Sequence, residues 1–74
     1  MTREEGIDAL VRIAEGSISD SAVRRRILGE LFGLKNIRGK LPAKGILADI
    51  QANSDRQISE ETSLLIKEVY FYFA

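Results

Sequence analysis

Apolar residues return at helical intervals four times along this chain, and polar turn-formers separate the returns. In the first stretch Ile7, Leu10, Val11 and Ala14 fall at i, i+3, i+4 and i+7, the spacing that lines one face of an α-helix. Thr2 precedes this stretch as a cap and Glu5 stands at the capping-box position, while Glu4 and Glu5 complement the positive end of the helix dipole. A helix over residues 3–15 follows, ended by Gly16 in a left-handed cap. Gly6 lowers its propensity by roughly 1 kcal/mol relative to alanine without breaking the pattern.

Ser19 is positioned to cap the second helix, with Asp20 behind it and Ile18 and Val23 spaced as a hydrophobic staple. Val23, Ile27, Leu31 and Leu34 keep helical spacing past Gly33, which carries this helix from Asp20 towards Arg38 rather than stopping it at Phe32. Pro42 bars Leu41 from helical geometry and is itself suited to a first turn, so residues 39–41 form a tight connection. The third helix covers residues 42–52 on Ala43, Ile46, Leu47 and Ile50, with Asn53 as a left-handed cap. After polar residues 53–57, Ser59 caps a fourth helix running from Glu60 onward to Ala74, with Glu60 and Glu61 at its positive end. No stretch alternates apolar and polar residues for long, which argues against strands. The short connections predict one all-α domain over residues 1–74, a small antiparallel four-helix bundle with three long helices and one short.

Composition narrows the chemistry. At 45% apolar and 30% charged residues the chain is of globular type, and one of 74 residues buries only roughly 60% of its unfolded surface. With neither cysteine nor histidine it has no disulfide framework and lacks the ligands of common zinc, haem and iron–sulfur sites. The usual general base is missing as well, so the expectation is a protein that is not an enzyme and uses no cofactor and no metal. Gly33 and Gly39 enclose five residues, and Leu41 follows Lys40, whereas a phosphate-binding loop needs four residues and then a serine or threonine. Ser17, Ser19 and Ser21 read as turn and cap residues. The polar, acidic opening does not resemble a secretion signal. The most apolar window, residues 64–74, contains Lys67 and Glu68 and is too short to span a bilayer. Both point to a cytoplasmic protein with no membrane span.

Two features stand out from this background. Charge is segregated: residues 1–20 carry a net −3, residues 21–44 a net +6, and residues 45–74 a net −3. Arg24, Arg25, Lys35, Arg38, Lys40 and Lys44 are the candidate contacts for an anion or nucleic acid, with Arg26 completing the basic run. On an unbroken second helix Arg24, Lys35 and Arg38 would lie within roughly 60° of one another. The same charges could instead serve as a solvated face beside the acidic first and fourth helices. Against nucleic acid stand a net charge of zero and a span, residues 33–69, without an aromatic ring to stack on a base. A helix-turn-helix cut from the second and third helices would offer only Lys44, Asp49, Gln51 and Asn53 as readers.

The second feature is aromatic. Tyr70, Phe71, Tyr72 and Phe73 are consecutive, and four consecutive residues of a helix face every direction, so a small bundle cannot bury all four rings. They are the candidate protein interface, with a twofold homodimer as its simplest form; the alternative is that Val69, Tyr72 and Phe73 close the bottom of the bundle, with Tyr70 and Phe71 packed over its open end near the first helix. The resulting expectation is a small, non-catalytic, bacterial-type interaction or regulatory protein of the adaptor, antitoxin or immunity kind. It would bind a protein partner or itself through the aromatic end of the fourth helix. A nucleic-acid-binding module using residues 24–44 is the alternative.

Overall fold

Three of the four helices start where a side chain receives their free backbone N–H groups. In the computed structural model, which describes residues Met1–Ala74, α1 (Arg3–Ser17) begins with the full capping box. The Thr2 hydroxyl accepts from the Glu5 amide, and the Glu5 carboxylate accepts from the Thr2 amide at 2.7 Å. α2 (Ser21–Leu34) is capped by Asp20, whose Oδ1 accepts from the amides of Ala22 and Val23. α3 (Ala43–Ala52) starts after Pro42 with no side-chain cap, and α4 (Glu60–Phe73) is capped by Ser59, which accepts from the Thr62 amide. Four helices and no strand make up the fold.

The boundaries correct the sequence reading in five places. α1 runs through Gly16 to Ser17, because residues 53–59 fold back and the Asp55 and Arg56 amides donate to the Ser17 carbonyl, closing the helix end without a left-handed residue. Ser19 does not cap α2: its amide and hydroxyl both donate to the Asp55 carboxylate, which leaves Asp20 as the cap and breaks the staple register. α2 stops at Leu34 instead of reaching Arg38, as Lys35, Asn36 and Ile37 tighten into i→i+3 hydrogen bonds. α3 begins at Ala43, one residue later than expected. Asn53 keeps a negative φ of −109°, and its side-chain amide donates to the Asp49 carbonyl. The single positive φ belongs to Gly39, at 125° in the α2–α3 connection, where its carbonyl accepts from the Arg3 guanidinium.

α1 is the hub. It packs against each of the other three helices, α3 also packs on α4, and α2 rests chiefly on α1. One apolar core results, in which Ile7, Leu10, Ile13, Ile27, Leu31, Leu47, Ile50 and Val69 are completely or almost completely buried. The two ends of α4 meet the two ends of α1: the Phe73 ring lies over Gly6, and the Thr62 hydroxyl lies against Gly16. α2 buries only Ile27 and Leu31, so its outer side, including Phe32 and Leu28, is left facing outward or only partly covered.

Three carboxylates tie this arrangement to pH. Hydrogen bonds from the Thr2 backbone and hydroxyl hold Glu5 below the usual carboxylate range, and the Arg26 guanidinium does the same for Asp49. Asp55 is lowered by the Ser19 hydroxyl and amide. A carboxylate whose folded pKa lies below its unfolded value stabilises the fold above the unfolded pKa, and that contribution disappears as pH falls through the folded pKa. With no histidine to titrate, thermal midpoints should be flat between about pH 5 and 8 and fall below about pH 4. Asp55→Asn should flatten part of the acid limb in a calorimetric pH series; an acid limb unchanged by both Asp55→Asn and Asp49→Asn would show that these contacts do not matter.

Candidate functional site

The inner face of α4 is chosen by Thr62, Val69 and Phe73, which turn toward α1 and the core. At about 100° per residue, this choice sends Leu64 and Phe71 to the opposite side. Phe71 is 79% exposed, Leu64 54%, Tyr72 52% and Tyr70 38%. Leu64, Lys67, Glu68, Phe71 and Tyr72 line a shallow depression of about 520 Å³ along this outer face. The Phe71 and Tyr72 rings meet edge to face, with centroids 4.9 Å apart and planes at 87°, a geometry that lets the pair act as one apolar knob.

Of the four candidate interface rings, the structure brings three to the surface and withdraws one. Phe73 packs against the core because Gly6, with no side chain, leaves room for its ring. Leu64 is the residue that the sequence reading passed over, although its i, i+7 relation to Phe71 marks a second apolar stripe on α4. Neither Lys67 nor Glu68, which sit between Leu64 and Phe71, takes part in any of the chain's four ion pairs.

The basic segment is divided between structural duty and open surface. Arg24 donates to the carbonyls of Ile18 and Ser19 in the α1–α2 turn. Arg26 bridges α2 to α3 through both oxygens of Asp49 at 3.0 and 3.2 Å and pairs with Glu30 at 3.3 Å, which raises its pKa further. Lys35 pairs with Asp8 of α1 at 3.1 Å and lies 5.5 Å from the centre of the Phe32 ring. Since α2 ends at Leu34, the unbroken helix that would align Arg24, Lys35 and Arg38 does not exist. Arg25, Arg38, Lys40 and Lys44 are exposed and have no carboxylate partner. Lys40 and Lys44 flank a shallow pocket of about 340 Å³ at the uncapped start of α3.

No cluster of three acidic side chains comes together as a metal site, and no helix is long and apolar enough to cross a membrane. Comparison with known proteins gives no match: no family model fits the chain, and neither a curated protein nor a solved structure is significantly similar to it.

Proposed function

We propose that this protein is a small, non-catalytic cytoplasmic interaction protein of the adaptor, antitoxin or immunity type, working through the outer face of α4. In this reading it is an antiparallel bundle whose inner surfaces are spent on its own core, leaving one helix face to engage a protein partner or a second copy. The observation that carries the reading is Phe71, almost four-fifths exposed beside Leu64 and Tyr72. Large rings held in water on a regular helix, with charges only at the flanks, have the makeup of an interface anchor.

The test places a photoreactive phenylalanine analogue at position 71 in one preparation and at position 32 in another, because both rings are exposed but on different helices. Irradiation in an extract of the native host should yield protein adducts from position 71, insensitive to salt, and only background from position 32. Absence of any protein adduct from position 71 would overturn the reading. The unpaired Arg25, Arg38, Lys40 and Lys44 favour a nucleic-acid module as the second reading. Its mark would be duplex binding that collapses between roughly 50 and 200 mM salt and is lost in an Arg38→Gln/Lys40→Gln variant.

A further inference from the structure

The outer face of α4 carries its charges in an order that selects its occupant. Taking the midpoint between Leu64 and Phe71 as the centre of the stripe, Lys67 lies roughly 50° to one side and Glu68 roughly 50° to the other. Each is exposed and free of any ion pair within the chain. If a second α4 is laid alongside in parallel about a twofold axis, the left flank of one helix meets the right flank of the other, as in parallel coiled coils. Lys67 then faces Glu68 of the second copy and Glu68 faces its Lys67, at nearly the same height, while Leu64 meets Leu64 and Phe71 meets Phe71. An antiparallel pairing brings equal flanks together, Lys67 on Lys67 and Glu68 on Glu68, and is electrostatically opposed.

We infer that the partner of this face is a second copy of the same chain, docked α4 against α4 in parallel through Leu64 and Phe71 and held in register by reciprocal Lys67–Glu68 pairs. The inference rests on the outer face of α4 being the interaction surface, as proposed above. A 14-residue helix is about 21 Å long, so a single helix-to-helix contact falls short of the roughly 800 Å² per partner of a standard interface. The association is therefore weak and depends on concentration.

Light scattering from about 10 μM to 1 mM reads the test as solution mass, and the expected result is a shift from the 8.3 kDa monomer toward twice that mass. Lys67→Glu and Glu68→Lys should each weaken association at least about tenfold by setting like charges against each other, and an equimolar mixture of the two should restore it. Since the chain has no cysteine, Leu64→Cys alone should form a disulfide-linked dimer under mild oxidation. A wild-type monomer at 1 mM overturns the inference, as does a Lys67→Glu variant that associates like the wild type. Disulfide formation only between Leu64→Cys and Phe71→Cys would overturn it too, by showing the antiparallel pairing. A monomeric wild type whose position-71 photoadducts contain a different protein overturns this inference alone, whereas a monomer with no protein adduct removes the reading beneath it as well.

Discussion

Leu10→Ala is expected to leave the protein largely unfolded at 37 °C. Leu10 lies on the inward side of α1, the helix against which all the others pack, and is completely buried. Removing three carbons from such a site loses their burial and leaves a cavity, a combination that costs about 2–5 kcal/mol. Collapse into the cavity is hindered because α1 is held at both ends, by the Thr2–Glu5 box and by the loop amides on the Ser17 carbonyl. A single core in a domain of this size has only about 3–5 kcal/mol in hand. Urea denaturation followed by far-ultraviolet circular dichroism measures the loss. A midpoint lowered by less than the equivalent of 1 kcal/mol, judged against the about 2 kcal/mol minimum of such substitutions, would show that the packing around α1 is looser than described.

The second large effect is expected at Gly6. A Cβ there would stand 2.5 Å from one carbon of the Phe73 ring, 2.7 Å from another and 3.0 Å from a methyl of Leu41. Gly6→Leu raises helix propensity by somewhat under 1 kcal/mol, yet it must displace the ring and should destabilise the protein by about 1–3 kcal/mol overall. The two positions are in contact, so their effects should not add. In a Phe73→Ala background the ring is gone, and Gly6→Leu should be nearly neutral or stabilising. A cycle of four proteins unfolded in urea checks this; additive effects would mean that the ring does not depend on the notch at Gly6.

The features that were legible in the sequence are those decided within a few residues. The Thr2–Glu5 capping box and the Ser59 cap depend only on neighbours three residues away, and both form as their spacing predicts. The choice between Ser19 and Asp20 could not be made locally, since both are good caps; Asp55, some 36 residues on, removes Ser19 from the competition. Gly16 stays helical for a similar reason, because its end of α1 is closed by the loop after α3. In α4, one exposed ring too many was foreseeable from four consecutive aromatics. Which ring goes inward was not, because the answer is a missing side chain at Gly6, 67 positions earlier. Leu64 stands seven residues before Phe71, but only the inner face set by Thr62 and Val69 shows that this pair lies on the outer side.

The central place of α1 also sets the order in which the protein can be completed. Its apolar side is made before the groups that cover its two ends, Thr62 at Gly16 and Phe73 at Gly6, which lie 46 and 67 positions further along the chain. A growing chain therefore carries Ile7, Leu10 and Ile13 without their final neighbours until α4 has left the ribosome. These long-range contacts make folding wait for α4, in contrast to helical hairpins that can settle as they emerge. Residues 69–73 thus enter the core late: a chain that has not yet made them has most of its helices but lacks Val69 and Phe73 from their shared core.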